Sequence, residues 1–178
     1  LFSKDDLKKL IIPLLFEQAL AITVGMADTV MISSAGEAAV SGVSLIDMFN
    51  NLIISVLAAL ATGGAVVTSQ FLGAGKKEDA CKSAKQLIVS SVCITIGISI
   101  LVMVFCNGII SLFFGKIEAD VFHNAVIYMM ISALSFPFLA LYNSCAALFR
   151  SMGNSQITLK VSVVENIINI GGNALGVY

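Results

Sequence analysis

The sequence predicts an all-α fold, a polytopic membrane helix bundle of five transmembrane helices. Three long stretches point to it: residues 48–75, 86–115 and 121–149 contain no Lys, Arg, Asp or Glu, and each exceeds the ~20 apolar residues that cross a hydrocarbon layer about 30 Å thick. The composition agrees, at 58% hydrophobic and 12% charged, where a soluble domain carries about 25% charged residues. Lipid offers backbone groups no hydrogen-bond partners, so segments this long close their bonds internally as helices; barrel strands would be about ten residues long and alternating. Residues 1–178 are expected to form a single transmembrane domain.

Span one, Leu10 to Ile32, is interrupted by Glu17 and Asp28 and has Pro13 near its start, and a loop from Ser33 to Gly42 follows. Span two, Met48 to Gly75, contains Gly63-Gly64, which permit close helix approach or local bending. Its closing Gly73-Ala74-Gly75 turns the chain; the triplet lacks the spacing and the Gly-Lys-Ser/Thr ending of a phosphate loop. Span three runs from Gln86 to Gly115, and span four, Val121 to Phe149, holds Pro137, whose missing N–H predicts a kink. Span five runs from roughly Ile157 to Tyr178 and carries Gly171-Gly172. Spans two to four would measure about 42–45 Å at ~1.5 Å per residue, so they tilt, bend or project beyond the hydrocarbon.

The basic residues fall on one side of these spans. Lys4, Lys8 and Lys9 precede span one, Lys76, Lys77, Lys82 and Lys85 separate spans two and three, and Arg150 and Lys160 flank the connection between spans four and five, leaving only Lys116 opposite. Because Lys and Arg are retained in the cytoplasm, the expected arrangement is a multi-pass protein of the cell membrane. Its N-terminus is inside, and the Ser33 to Gly42 loop and the end of span five are outside. Acidic Glu37, Asp47, Glu118 and Asp120 sit outward or near that edge.

Within the spans, carboxylates and amides are the candidate functional groups. Glu17 and Asp28 lie about 20° apart around span one and about 16 Å apart along it, so one face carries both. A carboxylate at membrane depth costs at least ~2.5 kcal/mol; it faces a protein interior or cavity, pairs, or takes up a proton. In span five Glu165, Asn169 and Asn173 recur at helical spacing, with Asn166 beside the stripe. Such amides either join helices or line a cavity whose oxygens coordinate a cation. Asp28 from span one and the span-five amides together would make an oxygen-rich cage for Na⁺ or a buried proton site, with Glu17, Gln70, Glu165 and Asn166 as further polar groups of the cavity.

Other residue patterns exclude function classes. Cys81, Cys93, Cys106 and Cys145 show neither a paired Cys-x-x-Cys nor metal-ligand spacing and read as packing residues. His123 is the sole histidine and sits at an interface, so no Ser/His/Asp or Cys/His constellation and no metal-hydrolase pair is expected, and the protein reads as no enzyme. A net charge of −1 without a basic block gives no nucleic-acid partner. The segment from Leu10 is too long for a cleavable signal core and is expected to remain in the mature protein.

Several of these pieces resemble the MATE (multidrug and toxic compound extrusion) family in its prokaryotic branch. They are Ile12-Pro13-Leu14 and Ala27-Asp28-Thr29-Val30-Met31 in span one, and Ser69-Gln70-Phe71-Leu72-Gly73-Ala74-Gly75 closing span two. Phe149-Arg150-Ser151-Met152-Gly153-Asn154-Ser155 follows span four, and Asn169 and Asn173 stand in span five. The resemblance implies a secondary antiporter that exports amphipathic or cationic compounds in exchange for H⁺ or Na⁺ and needs no cofactor beyond that coupling ion. It implies cation coupling at Asp28 and Asn169; at Asn173 some members carry aspartate, so the site here has one carboxylate fewer. It also implies that residues 1–178 correspond to an N-terminal lobe without its sixth helix and without the C-terminal lobe, so the partners are the lipid bilayer, the small-molecule substrate and the missing lobe or a second subunit. The alternatives are a lipid-linked oligosaccharide flippase, for which cationic residues in the cavity would be expected, and a truncated non-transporting membrane scaffold in which the polar stripes only join helices.

Overall fold

The computed structural model describes residues 4–33 and 36–177, with side chains described over residues 7–8, 10–33 and 36–172. Five helices follow one another: α1 (Lys4–Ser33), α2 (Glu37–Gly73), α3 (Lys77–Phe114), α4 (Ala119–Ser151) and α5 (Ser155–Val177). No strand occurs among the described residues. Among those residues α1 from Leu10, α2, α3 and α4 are each long and apolar enough to cross a membrane. The fifth helix spans 23 residues and carries Lys160, Glu165, Asn166 and Asn169.

The helices outrun the charge-free stretches that announced them. The loop expected from Ser33 to Gly42 is short, since α2 already begins at Glu37, and the lysine-rich segment after span two lies mostly within α3, which begins at Lys77. Absence of charge marks what lipid tolerates, whereas a helix continues into the interface wherever the backbone permits. Charged residues favour those extensions: Glu37 opens α2, Glu78 and Asp79 open α3, and Arg150 closes α4, each placed to complement the helix dipole. Both prolines lie inside continuous helices, Pro13 in α1 and Pro137 in α4.

The turn foreseen at Gly73-Ala74-Gly75 is present and has a definite construction. Gly75 takes φ +76°, the Lys76 N–H donates to the Phe71 carbonyl at 3.0 Å and the Gly75 N–H to Leu72 at 3.0 Å, a Schellman close. After α4 the same pattern recurs: Gly153 takes φ +80°, Asn154 donates to Phe149 at 2.9 Å and Gly153 to Arg150 at 3.0 Å.

The chain divides into two compact units, one made of Leu1–Gly36 with Phe149–Tyr178 and the other of Glu37–Leu148. In the first, α1 packs along α5. The buried face of α5 consists of Ser155, Thr158 and Ser162, continued by half-buried Asn166, a run of small hydroxyl side chains that lets a neighbouring backbone approach.

In the second unit α2, α3 and α4 share a core of Ile46, Val102, Cys106, Ile110, Ala125, Met129, Ala133 and Phe136. The buried positions of α3, from Leu87 through Ser91, Thr95, Ser99, Val102 and Cys106 to Ile110, recur every three or four residues, the stripe of a helix packed on one side. Its other face presents Val104, Phe105 and Leu112 outward, as a lipid-facing surface requires. Glycine sets two close approaches. The Leu87 side chain occupies the place of a Cβ on Gly64, and a Cβ on Gly42 would stand 3.0 Å from the Ala125 nitrogen and 3.0 Å from the Val121 carbonyl oxygen. Gly63, Gly171 and Gly172 have open space instead.

Candidate functional site

The first unit holds most of the polar residues singled out in the sequence. Glu17 is half-buried on α1, its side chain 15% exposed, and its Oε1 lies 3.6 Å from Nη1 of Arg150 in the last turn of α4. Glu165 of α5 is close enough to Glu17 for the two carboxylates to act on each other electrostatically. Glu17 therefore pairs with one guanidinium while facing a second acid. Arg150 entered the sequence reading as a basic residue beside the connection between spans four and five and as part of a motif, not as a partner of Glu17. It stands more than a hundred residues from Glu17 along the chain, so spacing gave no sign of the pair.

Asp28 is half-buried further along α1, and Asn169 is exposed on α5, so the two belong to helices that pack on one another. Thr23 and Thr29, neighbours on α1, turn their hydroxyls back to the Ala19 carbonyl at 2.8 Å and the Gly25 carbonyl at 2.9 Å. Asn166 donates to Ser162 Oγ at 3.5 Å and lies on the buried stripe, while Glu165 and Asn169 are exposed. The Asn173 backbone is within α5, but its side chain lies outside the described residues.

Gln70 belongs to the second unit. Its side chain is exposed and its carbonyl accepts the Ala74 N–H at 3.0 Å, so its visible part is in closing α2. His123 is exposed at the start of α4, and the four cysteines are unpaired. Among the described residues no three His, Cys, Asp or Glu side chains are grouped to hold a metal.

Sequence reasoning missed a polar contact in the second unit. Tyr128 Oη of α4 donates to Asp47 Oδ1 of α2 at 2.9 Å, and Asn50 Nδ2 donates to Ser132 Oγ at 3.1 Å. The sequence reading set Asp47 outward or near the outer edge without giving it a partner; it lies ten residues into α2, which starts at Glu37.

The MatE family profile matches residues 13–175. The chain belongs to the MatE family. Among curated MatE-like relatives, the uncharacterized transporter YisQ of Bacillus subtilis is 31% identical over 166 residues, which cover 93% of this chain and 36% of that protein. The probable multidrug resistance protein NorM of Thermotoga maritima is 25% identical over 172 residues, 94% of this chain and 36% of that protein. The chain thus spans about a third of the length of these relatives. A solved MOP superfamily transporter from Pyrococcus furiosus superposes with a TM-score of 0.88 over 97% of this chain and 38% of that one, at 20% identity; it shows the fold. The chain accordingly belongs to a family of multi-pass membrane transporters, and YisQ is itself described as a transporter.

Proposed function

We propose that this MatE chain works as part of a secondary antiporter that exports amphipathic or cationic compounds across the cell membrane in exchange for H⁺ or Na⁺. Asp28, Asn169 and Asn173 are its ion-coupling residues. The observation that carries the reading is the make-up of the α1–α5 unit. A half-buried carboxylate, Asp28, and an exposed amide, Asn169, stand on two packed helices that are otherwise largely apolar. An exposed amide on a span fits a water-filled cavity or a protein partner and is poorly placed against lipid. An ion arriving there interacts differently with α1 in two arrangements of the helices, and that difference couples its gradient to alternating access.

The cytoplasmic end is the one bearing the N-terminus, the α2–α3 turn and the α4–α5 turn, where the basic residues gather. A pyrophosphate-carrying substrate is disfavoured by the scarcity of cations in the spans, Arg150 being engaged with Glu17. The test is gradient-driven efflux of a cationic dye by the full-length transporter in vesicles. Asp28→Asn is expected to abolish efflux at unchanged membrane insertion, and full efflux by that variant would remove Asp28 from the coupling role.

A further inference from the structure

Asp47 stands about 15 Å along α2 from its first residue at ~1.5 Å per residue, well inside the helix. Asp47 is half-buried, and the partner the structure provides for its carboxylate is neutral: the Tyr128 hydroxyl of α4 at 2.9 Å. One turn further on, Asn50 spends its amide N–H on Ser132 at 3.1 Å, while its carbonyl Oδ1 is buried with no hydrogen-bond partner. Asp47 and Asn50 share a face of α2, Tyr128 and Ser132 a face of α4, so two polar rungs cross the same helix interface.

No cationic side chain offsets the Asp47 carboxylate among the described residues. The α3 helix carries no charge between Gln86 and Phe114, and the titratable groups of α4 near Tyr128, Asp120 and His123, are exposed more than a turn away. A cavity of about 930 Å³ lies near this end of α2, lined by Glu37, Ser41, Ser44 and Met48 of α2 and by Lys116 and Glu118 beyond α3; Asp47 stands between lining residues Ser44 and Met48 in the chain.

We propose that Asp47, Asn50 and Ser132 form a second site for a monovalent cation, probed with Na⁺, with Tyr128 as the residue that positions the carboxylate. Hard cations take oxygen ligands. The site offers a carboxylate oxygen, an orphaned amide oxygen and a hydroxyl, and its single negative charge balances one positive charge. This deepens the transporter reading and rests on it only for the use made of the ion.

Binding of radiolabelled sodium to the purified full-length transporter in detergent tests the site. The expected result is one sodium component that Asp47→Asn removes and Asp28→Asn leaves in place, with affinity weakened roughly ten- to hundredfold in Tyr128→Phe. Sodium binding by Asp47→Asn equal to that of wild type overturns the proposal while leaving the role of Asp28 untouched, and so does a wild-type protein that binds no sodium. Should Asp47→Asn fail to fold, Asn50→Leu keeps the side-chain volume and removes one ligand oxygen; unchanged affinity in that variant overturns the site equally. A loss of efflux in Asp28→Asn is read separately and does not bear on this outcome.

Discussion

Arg150 and Lys82 belong to two ion pairs with very different surroundings. Lys82 and Glu78 lie 2.9 Å apart on the surface of α3, with side chains 69% and 85% exposed, and an exposed pair at helical spacing contributes about 0.3–0.5 kcal/mol. Arg150 and Glu17 are 3.6 Å apart, yet their side chains are 34% and 15% exposed. Removing one partner of a largely desolvated pair leaves a costly charge behind, so Arg150→Ala is expected to lose roughly 1–3 kcal/mol, and Lys82→Ala less than ~0.5 kcal/mol. Thermal unfolding in detergent followed by circular dichroism checks the ranking; equal losses would mean that burial does not strengthen the Glu17 pair. Residue types were legible in the sequence, since a charge inside an apolar run is conspicuous. Their partners were not, because the pairing of Glu17 with Arg150, and of Asp47 with Tyr128, is made by helices far apart in the chain.

At the scale of elements, hydrophobic length announced the five helices and the glycine triplet announced the turn between α2 and α3. Helix ends were displaced because lipid solubility and helical continuity are separate conditions, as the ten residues of α2 before Asp47 illustrate. Glycine at helix interfaces was legible as a permission only. The sequence reading singled out Gly63-Gly64 together, and packing uses the second; Gly42, which it did not single out, makes the tighter backbone contact with α4. Gly42→Ala places a methyl group 3.0 Å from two backbone atoms of α4 that cannot rotate aside, and overpacking of this kind costs about 1–3 kcal/mol. Gly63→Ala meets nothing within 4 Å and gains helix propensity worth about 0.5–1 kcal/mol. The two variants should therefore move the unfolding temperature in opposite directions. Gly42→Ala should also weaken the contact between Asp47 and Tyr128, which lies just beyond it along the same pair of helices; a neutral effect at Gly42 would show that α2 and α4 are less tightly apposed.

For the whole molecule, the uneven distribution of Lys and Arg implies an orientation that chemistry can read directly. Cys81 is exposed near the start of α3 among Lys76, Lys77, Lys82 and Lys85, the side expected in the cytoplasm by the retention of basic residues. Lys116 lies at the opposite end of α3, at the mouth of the 930 Å³ cavity. A membrane-impermeant maleimide is expected to label Cys81 of the full-length transporter in inside-out vesicles and to spare it in right-side-out vesicles. Cys106 is buried, and Cys93 and Cys145 lie inside apolar helices, where a charged reagent is poorly soluble. Lys116→Cys in a Cys81→Ser background should give the reverse pattern, because α3 is long enough to separate the two positions by the full hydrocarbon thickness. Labelling of both positions from one side would mean that α3 does not cross, and the expected sidedness of the α2–α3 turn would fall with it. Labelling of Cys81 from outside, and of the Lys116→Cys variant from inside, would invert the chain and would put the cavity beside Asp47 on the cytoplasmic side.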